Sequence, residues 1–207
     1  MGRAGVSLPG NVAKIRGTSI LGTLQYVRET FGEDSLKRVL AGLTGAARGA
    51  LGDGATTPIV TTGWYDCALV SHLTREIDRV CGRGDLALAR AVGKFIAFQD
   101  VNRFFKWLLR LTGPALLFGR ATSVWNNYYS GGRYVFEGTA GRRASFRVED
   151  WDCADPVICA RVQGWMERAL ELTLGASRSP VARETAHLAT DPALGPGRFC
   201  RYEAEWS

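Results

Sequence analysis

Histidine is almost absent from this chain: His72 and His187 are the two among 207 residues. Acid–base chemistry near neutral pH leans on histidine, so an enzyme of that kind has few candidates here. The signatures of other chemistries are missing as well. Residues 49–54 are glycine-rich but lack the Lys–Ser/Thr pair of a phosphate-binding loop, and they read as a flexible loop. There is no serine nucleophile elbow and no His–Glu–x–x–His. The carboxylate pairs Asp150/Asp152 and Glu203/Glu205 fall in a turn and on an exposed strand face, where solvated charge is the expected state. These absences point away from an enzyme.

Long apolar runs are missing too. Every apolar stretch is broken by charge before the roughly 20 residues a membrane span needs. Residues 1–17 contain no apolar core of a secretory signal, so a cytoplasmic protein is expected. Five cysteines, Cys67, Cys81, Cys153, Cys159 and Cys200, are an odd number without regular spacing and make a poor disulfide framework. The formal net charge is +6, yet no basic run is longer than Arg142–Arg143. Nucleic-acid binders concentrate such residues, so nucleic acid is not an expected partner.

What is present is an ordinary globular composition, 46% apolar and 22% charged, with six tryptophans. One domain over residues 1–207 is expected, with a lead-in at 1–17, a mainly helical part at 18–129 and a sheet with a helix at 130–207. Residues 12–17 read as a short strand. Ser19 reads as a helix cap ahead of Ile20, Leu24 and Val27, and Asp34 or Ser35 caps a second helix. Residues 45–58 read as a loop with one extra turn. Thr62 to Tyr65 opens a helix carrying Leu69, Leu73, Ile77 and Val80. Asp85 caps a long central helix over 85–111, and Gly113–Pro114 breaks it ahead of a shorter helix at 115–128.

The period then changes from helical to alternating. Residues 133–138 and 143–149 read as a hairpin. Asp155–Pro156 starts a helix that turns Val157, Ile158, Val162, Trp165 and Met166 inward and ends at Gly175. Residues 181–190 and 199–206 read as two more strands. Helices first and then strand–strand–helix–strand–strand is an α+β order with an antiparallel sheet.

Cys159, Glu184, His187 and Cys200 are four side chains of zinc-ligand type. They come from the start of the last helix and from the last two strands. Residues three apart on a regular strand point to opposite faces, so Glu184 and His187 converge only at a bulge or strand end. Otherwise the four are two buried cysteines and a surface Glu–His pair.

The segment from Asp155 to Trp165 resembles the helix start of four-vinyl-reductase-type sensor domains. The ending Gly197–Arg198–Phe199–Cys200–Arg201–Tyr202–Glu203–Ala204–Glu205–Trp206 resembles their closing Gly–x–x–Cys–x–Tyr–x–x–x–Trp strand. Over its full length the chain also resembles an uncharacterised paralogous family expanded in myxobacteria. The features in common are Lys14–Ile15–Arg16–Gly17, Trp64–Tyr65, and Trp125, Tyr128 and Tyr129 before Gly131. The resemblance implies a fold akin to vesicle-tethering-complex subunits and haem nitric-oxide-binding domains, and a ligand-sensing role. It also implies a structural zinc on Cys159, Glu184 and Cys200, with His187 standing where a cysteine is usual. Haem is not expected, because the helix at 85–111 carries no histidine.

The function expected is therefore a non-enzymatic regulatory domain for a small apolar or aromatic molecule. Trp64, Phe98, Phe105, Trp125 and Tyr128 are the candidate lining of its site. The alternative is a protein-interaction adaptor without a ligand, cued by the lack of an output domain before Ser207. A homodimer is expected in either case, because the apolar helical surface exceeds what one core buries.

Overall fold

The computed structural model of the chain describes residues 13–52, 57–104, 114–119, 121–175 and 179–207. Strand β1 (Lys14–Arg16) leads into helices α1 (Gly17–Phe31), α2 (Glu33–Gly42) and α3 (Gly45–Leu51). Strand β2 (Trp64–Asp66) pairs antiparallel with β1, Ile15 opposite Tyr65, and then feeds α4 (Cys67–Cys81). Trp64 and Tyr65 thus form a strand where the sequence suggested a helix start. The helix begins one step later because Asp66 Oδ1 accepts the N–H of Ala68 at 2.8 Å. Ser19 is no cap either. It lies buried inside α1, which starts at Gly17.

Helix α5 (Ala87–Phe104) is entered through Asp85, whose Oδ1 accepts the N–H of Ala87 at 3.0 Å. Among the described residues two short helices come next, α6 (Pro114–Gly119) and α7 (Ala121–Tyr128). The hairpin is β3 (Arg133–Ala140) and β4 (Arg143–Glu149). Helix α8 (Pro156–Leu174) starts as its sequence dictates: Asp155 Oδ1 accepts the N–H of Val157 at 2.8 Å, with proline in the first turn. Strands β5 (Val181–Asp191) and β6 (Gly195–Glu205) close the chain. The sheet is antiparallel throughout, in the order β3–β4–β6–β5, so the fold is α+β.

Two contacts set the geometry of the site. Helices α5 and α8 cross at glycines. A side chain at Gly164 would meet the Arg90 carbonyl oxygen at 1.9 Å, and one at Gly93 would meet the Arg161 carbonyl oxygen at 2.0 Å. Only glycine permits backbones this close. Glu167 then locks the crossing to the sheet. It pairs with Arg90, lies 3.2 Å from Lys94 Nζ, and accepts the N–H of Ala182 at 2.9 Å.

The cysteines depart from expectation. Cys67 at the start of α4 and Cys153 ahead of α8 form a disulfide, with Cα atoms 5.6 Å apart. A separation of 86 residues hides such a pair from spacing arguments. By chain entropy a link of that length contributes on the order of 4 kcal/mol. No helix of the described residues is long and apolar enough to cross a membrane.

Candidate ligand cavity and donor cluster

An aromatic cavity lies where α5, α6, α7 and α8 meet the sheet. Its volume is about 80 Å³. Phe118, Trp125, Tyr128, Tyr134, Phe146 and Trp165 supply most of its rings. Sheet register explains part of this wall. Phe146 on β4 sits opposite Tyr202 on β6, and Tyr134, Phe146 and Tyr202 stack at 5.1 and 5.2 Å. Helix α7 supplies Trp125, which packs 4.8 Å from Trp151 and donates from Nε1 to the Gly131 carbonyl at 3.1 Å.

Two polar groups at this cavity are unusual. The Tyr134 hydroxyl is buried with no partner among the described residues, and burial pushes its pKa well up. A buried hydroxyl left unpaired costs about 1–3 kcal/mol. Arg161, on α8, is 4% exposed. Its Nη1 donates to Thr74 Oγ1 at 2.9 Å and its Nη2 to Ser19 Oγ at 2.9 Å. Burial lowers its pKa to about 10. The buried phenol of Tyr129 lies in its field. Burial raises that phenol, and the arginine offsets part of the rise.

Of the five aromatic residues expected to line a site, Trp125 and Tyr128 do. Trp64 and Phe98 do not. Trp64 is 37% exposed on the outer β1–β2 pair, under the Arg16 guanidinium. Phe98 is 40% exposed on the outer side of α5, under Arg168. Aromatic identity says nothing about which face of an element a ring occupies. Phe105 lies outside the described residues. Sequence reasoning missed Arg161 and Tyr134. Arg161 did carry a signal, since it shares the inward stripe of Ile158, Val162 and Trp165 at helical spacing.

The four zinc-type side chains come together. One ligand atom from each of Cys159, Glu184, His187 and Cys200 lies within 4.8 Å of every other. Strand β5 is irregular here: its register against β6 shifts between Glu184 and Ala186 and again before Ala189, and Leu188 has φ 46°. The bulge turns Glu184 and His187 to one side, and Glu184 Oε1 lies 2.8 Å from His187 Nδ1. A hydrogen bond from the Cys159 thiol lowers Cys200 to about 7, and the same bond, with burial, holds Cys159 well above its usual range. His187 is slightly buried, which lowers it, but Glu184 raises it overall. His72 belongs to neither place; it lies 3.3 Å from Thr44 Oγ1 on an open groove beside Cys67 and Cys153.

No family model and no curated protein matches the chain. Solved structures do match, H-NOX domains among them, and the chain shares their fold. The Fe(II) unliganded H-NOX protein from K. algicida matches with TM-score 0.65 at 12% identity, over 93% of this chain and 96% of that one. The oxygen complex of an oxygen-binding H-NOX domain related to soluble guanylate cyclases matches with TM-score 0.62 at 11% identity, over 93% and 95%. A structure concerned with haem redox potential and protein-induced porphyrin distortion matches with TM-score 0.60 at 12% identity, over 92% and 99%.

This likeness corrects the cofactor expected from the sequence. A structural zinc was expected and haem was not, yet the cofactor named with the structures of this fold is haem. The zinc expectation rested on four donor side chains and a resemblance, and the one against haem on missing residues such as a histidine at 85–111. These are local signals, whereas fold likeness registers the whole chain.

Proposed function

We propose that this chain is a non-enzymatic sensor domain that takes a small molecule into the cavity between α5, α6, α7, α8 and the sheet. The observation that carries this reading is the cavity itself, lined by aromatic rings and holding a tyrosine hydroxyl with no partner among the described residues. No histidine, cysteine or carboxylate is among its described lining, so it offers binding rather than acid–base catalysis. Helices and sheet both form its walls, so occupancy changes contacts across the domain, which is what a sensor requires. The neighbours of the same fold include an oxygen-binding domain and a study of H-NOX activation.

Haem is the group this fold family implies, and the described residues meet it in part. Tyr128, Tyr129, Tyr134 and Met166 are donors of axial type, and Arg161 is a cation suited to a propionate. The space of about 80 Å³ does not hold a macrocycle without the walls parting, and both histidines lie elsewhere. Native mass spectrometry of freshly purified protein, followed by titration with hemin, tests the reading. A co-purifying small molecule, or one hemin bound per chain with a sharp Soret band, supports it. Ligand-free protein that takes up neither hemin nor any member of a small-molecule panel overturns it.

The second part of the proposal concerns Cys159, Glu184, His187 and Cys200, which we read as a metal-ion site. Thiolate, imidazole and carboxylate donors favour a transition metal, and four protein donors leave no position open to water. Such an ion would tie α8 to β5 and β6. Elemental analysis of protein never exposed to chelator should find about one metal per chain, lost in Cys200→Ser and kept in Cys81→Ser. Metal-free wild-type protein would remove this part alone.

A further inference from the structure

Resting on the sensor reading of the cavity, the geometry points to the class of guest: we infer that the cavity binds a short organic carboxylate, with its anionic end against Arg161 and its carbon chain among the rings. Arg161 is a buried cation whose described hydrogen-bond acceptors, Thr74 Oγ1, Ser19 Oγ and the Ser19 carbonyl, are all neutral. No carboxylate of the described residues forms an ion pair with it, whereas three of the four buried carboxylates have one: Glu76 has Arg79, and Asp78 is the exception. Glu167 has Arg90 and Lys94, and Glu149 has Arg133 and Arg147. A buried charge without a counter-ion is costly, and an anion delivered by the guest relieves that cost. A planar guanidinium matches a carboxylate in a way that no point cation does.

The position of Arg161 supports the assignment. It lies on the wall of the cavity with Ser19, Tyr129 and Trp165, and the glycine at position 93 brings the α5 backbone against α8 beside it. The unpartnered Tyr134 hydroxyl lines the same cavity, an independent sign that its polar complement is incomplete. Size sets the length of the chain. About 80 Å³ is near half of the ~150 Å³ cavity known to take benzene. An acid of two to four carbons therefore fits the cavity as it stands, whereas an aromatic acid needs the walls to move.

The test compares propionate with propionamide, which has nearly the same shape and no charge, and with benzoate. Binding is followed by saturation-transfer NMR and calorimetry on the full chain. Propionate should bind at least about tenfold more tightly than propionamide, the usual margin for a charge-assisted hydrogen bond. Benzoate should bind more weakly than propionate. Arg161→Met should remove the preference for the acid, and Arg161→Lys should keep part of it. If Arg161→Met does not fold, the wild-type ratio of acid to amide decides the matter alone. Equal binding of propionate and propionamide overturns the inference and leaves the sensor reading intact. Binding of hemin or another guest with no response to propionate does the same. No binding of any guest removes both.

Discussion

Two buried charges stand on α8, and the chain treats them in opposite ways. Glu167 is clasped by Arg90, Lys94 and the N–H of Ala182, three donors from α5 and β5. Arg161, less than two turns earlier, meets only neutral oxygens from Ser19 and Thr74. Both are hidden from solvent, so burial alone does not distinguish them. The difference is what each one faces. Glu167 faces the seam where α5, α8 and the sheet are fastened, and its charge is fully answered by the chain. Arg161 faces a cavity, and its charge is not. A paired buried charge is architecture; an unpaired one beside empty space is the better marker of a binding site.

The largest effect expected from this comparison is at Glu167. Replacing it with Gln leaves Arg90 and Lys94 without their anion and weakens the bond to Ala182. Both cations are about a third exposed and recover some hydration, so the expected loss is about 2 kcal/mol, below the full cost of breaking a buried pair. The pH dependence has a definite sign. Burial raises the Glu167 carboxyl, but hydrogen bonds from Arg90 and Ala182 outweigh it and hold the pKa below its ordinary value. A depressed folded pKa gives stability that is present above the unfolded value of about 4.3 and is lost as pH falls through the folded one. Urea titrations between pH 7 and pH 3 should show this acid slope in wild type and a smaller one in Glu167→Gln. Equal slopes would mean that Glu167 is not the anion that fastens the seam.

The same comparison shows what the sequence can and cannot convey. The start of α8 at Asp155–Pro156 and the two closing strands are legible, because caps, prolines and alternation act over a few residues. The donor cluster is legible as residue types, although the register shift between Glu184 and Ala186 that turns Glu184 and His187 together is not, since nothing local requires it. Strand β2 is three residues long and carries no period, so Trp64 and Tyr65 read as a helix start. The Cys67–Cys153 link is set by the docking of α4 against the loop before α8, an event 86 residues wide. Arg161 is the instructive case. Its place on the inward stripe of α8 was visible, but an arginine on such a stripe is ordinarily read as reaching for solvent. Only the packing of α1 and α4 against that face shows that solvent is out of reach.

The smallest effect expected is the one that decides the comparison. Arg161→Met keeps an unbranched stem, two atoms shorter, and places an apolar group beside Val162 and Met166 on an apolar wall. Replacing a buried charge by a well-packed apolar residue is often neutral or stabilising, because the cost of dehydrating the charge disappears. Against that gain stand the hydroxyls of Ser19 and Thr74, which lose their donor. Thr74 lies well inside α4, where a hydroxyl can turn to the carbonyl four residues back, as Thr23 does toward Ser19 at 2.7 Å, and the Ser19 hydroxyl sits in the first turn of α1. The net change in stability should therefore stay within about 1 kcal/mol, well under that of Glu167→Gln. A chemical-denaturation pair on the two variants reads this directly. If Arg161→Met costs as much as Glu167→Gln, then Arg161 fastens α1 and α4 to α8, and the contrast between the two charges fails. If its cost is small, the chain holds an arginine that its own stability does not require, and the cavity beside it is left as the reason for keeping the charge.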